Sequence, residues 1–224
     1  GVRPVFFQGS GGSVDRGGGS VPDQLAWWPR SALRTYKVTI QGEMVERSLS
    51  GPEIARGQIE QIALSAGRAL AGEPKPPHFA SLFRLAELAS RAYKEMIHDP
   101  EFLAVADGST PYGHLSQLKI GSRPARRSRE ISVEGLRAIP WVLCWTQTRV
   151  LFQTWWGVGS AWERLSPKER EELKRAFREE PVFTSYVKAL GFTLAKVELP
   201  IWSVYLERSA LGGDLKTRFY RMFS

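Results

Sequence analysis

Between Leu136 and Gly159 the chain reads LRAIPWVLCWTQTRVLFQTWWGVG, and only Arg137 and Arg149 carry a charge in it. A run this apolar has to be buried. Its aromatic residues, Trp141, Trp145, Trp155 and Trp156 among them, read as a helical core. No apolar run in the chain reaches the length of a membrane span, and no N-terminal stretch reads as a signal peptide. The length of 224 residues fits one or two domains. A content of 42% hydrophobic and 24% charged residues is that of an ordinary globular protein. Cys144, the one cysteine, lies inside the apolar run. It excludes an internal disulfide framework, reads as a small core residue and suits a reducing cytoplasm.

The rest of the pattern is mostly helical. GPEIARGQIEQIALSAGRALAG (51–72) carries Ile54, Ile59, Ile62 and Leu64 near helical spacing and closes at Gly72. HFASLFRLAELASRAYKEMIH (78–98) repeats the pattern through Leu82, Leu85, Leu88 and Met96. Asp99 then caps a short helix with Pro100 in its first turn. Residues 108–133 read as irregular and basic. Ser166 and Pro167 open a solvated helix of mixed charge. From Val182 to Arg208 the chain is apolar and helical, with a kink or break expected at Pro200. Two stretches read as strands: Val2 to Phe7, and TYKVTIQGEMVERS (35–48) with a turn at Gly42.

The first of those strands empties into FFQGSGGSVDRGGG, with six glycines between Gly9 and Gly19. A strand followed by a glycine-rich turn is an arrangement in which backbone N–H groups converge on an anion, commonly a phosphate. A flexible linker has a similar composition, but Val14, Asp15 and Arg16 interrupt this one. The net charge of +8 points the same way, towards an anionic partner: nucleic acid, acidic lipid or an anionic metabolite. The densest basic cluster, GSRPARRSRE (121–130), is a solvated turn by composition, with a phosphate clamp or a nucleic-acid contact as its sharper readings. Arg137 is the anomaly. A guanidinium entering an apolar region needs a carboxylate of the protein or a bound phosphate or carboxylate. His78, His98 and His114 are far apart, read as surface or helix-end residues, and form no legible metal site.

FFQGSGGSVDRGGG, VTIQGEM, IGSRPARR and EGLRAIPWVLCWTQTR, in that order, resemble the C-terminal part of phosphoenolpyruvate carboxylase, and AKVEL (195–199) resembles a further segment of that family. The resemblance covers nearly the whole chain. It implies an α/β fold, part of a TIM-type barrel, with this chain predominantly α-helical and residues 1–224 forming one region incomplete at both ends. The strand Val2–Phe7 would be a late barrel strand with its loop at the C-terminal rim.

The implied chemistry joins phosphoenolpyruvate and bicarbonate into oxaloacetate with Mg²⁺ or Mn²⁺, whose ligands are expected upstream of this chain. Every reactant is an anion, which suits arginine. By resemblance Arg137 holds the substrate phosphate and Arg123 assists phosphoryl transfer. Arg16 serves catalysis and, with Lys196, a site for acidic feedback inhibitors such as aspartate or malate. The backbone at Gly9, Gly11 and Gly12 would face the substrate. Gln8 and Ser10 depart from the family, which carries a histidine and an arginine there. Glutamine cannot act as a general base near neutral pH, and serine brings no charge. The resemblance further implies a cytoplasmic, homo-oligomeric enzyme when complete, with no membrane partner. This chain is then expected to be a fragment inactive alone. Two other readings stand behind it: a non-catalytic relative that binds phosphoenolpyruvate or a dicarboxylate, and, more distantly, a basic helical nucleic-acid binder.

Overall fold

The computed structural model describes Leu25, Trp28 and residues 30–33, 49–71, 78–118 and 132–224. These residues are predominantly helical, as the apolar spacing predicts. The elements are α1 (Arg30–Leu33), α2 (Pro52–Ala71), α3 (Ala80–Ile97), α4 (Pro100–Gly108), α5 (Tyr112–Leu115), α6 (Ala138–Gln147), α7 (Phe152–Trp155), α8 (Val158–Glu163), α9 (Pro167–Glu179), α10 (Pro181–Leu194), α11 (Leu199–Arg208) and α12 (Gly213–Phe223). Both predicted strands lie outside the described residues. The chain divides into two compact units, residues 1–79 with 171–189 and residues 80–170 with 190–224.

In the first unit a small core gathers Leu25, Trp28, Ala32 and Leu33, against which Ile62, Ala66, Ala69 and Leu70 of α2 pack. The apolar stripe predicted for α2 is therefore only partly used. Ile62 packs, whereas Ile54, Ile59 and Leu64 are 47%, 62% and 63% exposed. The packed residues all lie in the last turns of α2. Ile54 and Ile59 precede them, and Leu64, two residues past Ile62, points to the opposite side of the helix.

The core of the second unit is largely aromatic. α6 buries Trp141, Cys144 and Trp145 at i, i+3 and i+4, and α4 buries Phe102, Val105 and Ala106. Phe152, Trp202, Leu206, Phe219 and Phe223 complete the cluster. The ring of Phe102 lies parallel to that of Trp145 with centroids 5.7 Å apart, and 4.7 Å from that of Phe152. Trp202 on α11 donates its indole N–H to the hydroxyl of Ser109 after α4 at 3.0 Å, so the one polar atom of this buried ring is satisfied. On α3, Leu85, Leu88 and Met96 are buried as the spacing predicts, while Leu82 is only half-buried.

Helix ends follow the punctuation in the sequence, with two differences. Asp99 accepts from the backbone N–H of Glu101 at 2.8 Å with Pro100 in the first turn, as expected. Residues 108–133 are not wholly irregular. α5 forms within them because Tyr112 and Leu115 are drawn into the core, and Thr110 Oγ1 accepts from the Tyr112 N–H at 3.2 Å. Pro200 does not break a helix. The interruption comes earlier, between Leu194 and Leu199, and Pro200 sits in the first turn of α11, where its missing N–H has no intrahelical partner to lose.

α9 opens on a capping box. Ser166 Oγ accepts from the Glu169 N–H at 3.3 Å, while the Glu169 carboxylate accepts from the Ser166 N–H at 2.8 Å and from its hydroxyl at 2.7 Å. These two bonds from Ser166 hold the Glu169 carboxyl below the usual glutamate range. Their contribution is therefore present above the ordinary glutamate pKa and is lost as pH falls through the depressed one. Replacing Ser166 with Ala is expected to destabilise the chain by about 1 kcal/mol. The same change should raise the Glu169 titration, followed by NMR, only part of the way to that of an ordinary glutamate, because the Ser166 backbone N–H, the larger cause, remains.

Candidate functional site

Arg137 stands at the start of α6. Its backbone is extended (φ −114°, ψ 131°), it occupies the N-cap, and its side chain makes no capping bond. Its carbonyl accepts from the N–H of Trp141 at 2.9 Å, which begins the helix. The side chain is half-buried. Nε is shut off from solvent with no hydrogen-bond partner among the described residues. The first-turn N–H groups of Ala138 and Ile139 have no intrahelical acceptor, and Pro140 has no N–H. A guanidinium at the positive end of a helix is in the wrong place for the helix alone. An anion bound there would be favoured by the helix, by the free N–H groups and by the arginine together.

The other arginine of the apolar run behaves differently. Arg149 is exposed, in a turn where Arg149 and Leu151 adopt left-handed backbone angles (φ 62° and 50°). The turn is held because the Trp145 carbonyl accepts from both Val150 N–H (3.1 Å) and Leu151 N–H (3.0 Å). The Arg149 carbonyl in turn accepts from the Glu198 N–H at 2.9 Å. That bond ties the link between α10 and α11, which carries Lys196, to the end of the helix that Arg137 begins. Lys196 Nζ lies 4.7 Å from the ring centroid of Phe192, a cation–π contact at a half-buried position.

Of the residues singled out from the sequence, Arg137 and Lys196 are thus placed. Gln8, Gly9, Ser10, Gly11, Gly12, Arg16 and Arg123 lie outside the described residues. Cys144 is fully buried, and burial pushes its thiol up to about 12, so it is a core residue and not a nucleophile. His78, His98 and His114 are exposed, in line with the surface reading. Among the described residues no three His, Cys, Asp or Glu side chains are grouped to hold a metal ion. No described helix is long and apolar enough to cross a membrane. Sequence reasoning passed over Gln153, whose amide nitrogen and oxygen are both buried without a partner, and the equally unpartnered indole N–H of Trp145. A neutral amide inside an apolar run was the available signal for the first. Nothing in the sequence marks the second.

Comparison with known proteins bears on these positions together. A family model described as phosphoenolpyruvate carboxylase matches residues 1–223. The chain is 35% identical over 222 residues to a phosphoenolpyruvate carboxylase of Mycobacterium avium, covering 92% of this chain and 24% of that protein. It is 35% identical to one from Xanthomonas euvesicatoria, covering 98% of this chain and 25% of the relative. For one from Chromohalobacter salexigens the figures are 36%, 99% and 27%. The chain therefore spans about a quarter of the length of these relatives. With the match running over nearly every residue, Arg137 and Lys196 included, the chain belongs to the phosphoenolpyruvate carboxylase family.

Proposed function

We propose that this chain supplies the anion-facing arginines of an enzyme that carboxylates phosphoenolpyruvate with bicarbonate to give oxaloacetate and phosphate. The observation that carries the reading is Arg137: a cation at a helix N-terminus, with a buried Nε lacking a partner, in a chain of this family. In this reading Arg137 grips the phosphate of phosphoenolpyruvate. Arg123 faces the phosphoryl group as it passes to bicarbonate, where a fixed positive charge stabilises the developing anion. The backbone at Gly9, Gly11 and Gly12 lines the same substrate, and Arg16 completes the set. Arg16 and Lys196 also offer two cations to a feedback dicarboxylate such as aspartate or malate.

The Mg²⁺ or Mn²⁺ of the family neutralises phosphoryl charge when bound. Its ligands are expected upstream of this chain. A cytoplasmic homo-oligomer remains part of this reading. Because the chain spans about a quarter of its relatives' length, the 224-residue chain alone is expected to form no oxaloacetate.

Gln8 and Ser10 favour one alternative, a relative that binds phosphoenolpyruvate without turning it over. A coupled assay for oxaloacetate, run on the chain completed to its relatives' length, separates the two. If the enzyme reading holds, Gln8→His with Ser10→Arg raises the rate by roughly a hundredfold, the worth of a restored charge-assisted contact and general base. Calorimetric binding with no turnover, even in the double variant, selects the non-catalytic relative. Absence of phosphoenolpyruvate binding in every form overturns both.

A further inference from the structure

The first turn of α6 is held from the side by a residue of another helix. Trp141 donates its backbone N–H to the Arg137 carbonyl at 2.9 Å. Its indole Nε1–H donates to the phenol oxygen of Tyr93 on α3 at 3.1 Å. The Tyr93 ring is itself fixed, stacked on Phe152 with centroids 5.4 Å apart. The Trp141 ring lies edge-on to those of Phe102, Tyr112 and Trp145. One hydroxyl thus joins α3 to the turn from which Arg137 projects. On the other side, Leu136 packs against the aromatic core and donates its N–H to the Ser132 carbonyl at 3.1 Å, while the Arg137 side chain itself makes no capping bond.

We propose that Tyr93 is a positioning residue for Arg137: by accepting the indole N–H of Trp141 it sets where the first turn of α6 begins, and so where the guanidinium lies. The inference rests on the reading of Arg137 as the anion contact, but it is tested without substrate. A tyrosine that merely fills space would be replaced by phenylalanine at little local cost. A positioning tyrosine would not, since the ring stays while Trp141 loses its acceptor in a half-dry site. The placement matters because an error of about 1 Å in a substrate-positioning group can cost about a hundredfold in rate.

The test is hydrogen exchange on the ¹⁵N-labelled chain, read by NMR at the Arg137 Nε–H, whose signal is assigned by its loss in Arg137→Lys. Shut off from solvent, this proton is expected to exchange slowly. Tyr93→Phe should speed its exchange by roughly tenfold or more while the Trp202 indole N–H, bonded to Ser109, changes by less than about twofold. Trp141→Phe should give the same acceleration, and the double variant no more than either single one. An unchanged Arg137 signal in Tyr93→Phe overturns the proposal. So does joint acceleration of the Arg137 and Trp202 signals, which reduces Tyr93 to a general contributor to the core. An Arg137 Nε–H that already exchanges as fast as that of exposed Arg149 does the same. If instead Arg137→Ala leaves phosphoenolpyruvate binding intact, the functional reading fails while the exchange result stands.

Discussion

Gly157→Ala should destabilise the second unit by about 3 kcal/mol or more, read as a fall in the midpoint of urea unfolding. Gly157 lies in the turn between α7 and α8 with φ +85°, a backbone region in which an L side chain is strained. A Cβ added there would meet the carbonyl oxygen of Ala89 on α3 at 2.7 Å and the Cβ of Ala92 at 3.1 Å. The first contact is with backbone, which cannot swing aside. Relief therefore requires α3 and α8 to separate, and the packing between them is what the turn exists to permit. Gly159, two residues on and inside α8, is the control, because a Cβ there meets nothing within 4 Å. Gly159→Ala should stabilise by about 0.5–1 kcal/mol through helix propensity alone. Equal effects at the two positions would refute the close-approach argument.

The contrast between those two glycines shows what could be read in advance. Helix starts at Pro100 and Pro167 were legible because proline and the preceding Asp99 or Ser166 act within one turn of themselves. Pro200 misled because the same residue that stops a helix also begins one, and only the core contacts of Trp202 and Leu206 decide which. Ile54, Ile59 and Leu64 were over-read, since spacing reports which side of a helix a residue faces and not whether anything packs there. Gly157 gave no sign of its role, because its neighbour Ala89 is distant in sequence. The site divides in the same way. Arg137 stood out as a charge in an apolar run, whereas the support from Tyr93 reaches it through a hydrogen bond spanning 48 positions.

The second large effect is expected at Arg137 itself. If the proposed function holds, Arg137→Ala in the completed enzyme should lower kcat/KM for phosphoenolpyruvate by about 10²–10³-fold, the usual consequence of losing a charge-assisted contact in a desolvated site. Arg137→Lys should recover only part of this, because an ammonium keeps the charge but not the planar fork. Stability should move the other way. The wild-type chain keeps a buried, unpartnered Nε at the positive end of α6. Arg137→Met fills similar space without either feature and should leave stability unchanged or raise it by about 1 kcal/mol. A residue whose loss abolishes turnover while the fold grows firmer is one retained for binding. If Arg137→Met instead unfolds the chain, the arginine is structural and the functional reading loses its support.

Cys144 has a practical consequence of its own. It is the sole thiol of the chain, sits at 0% exposure on α6 between Trp141 and Trp145, and holds its proton to about 12. A cysteine-directed label can reach it only when α6 leaves its aromatic bed. The native sequence therefore contains a single-site clock. The rate at which a maleimide dye attaches measures how often the helix carrying Arg137 comes loose, with no residue introduced for the purpose.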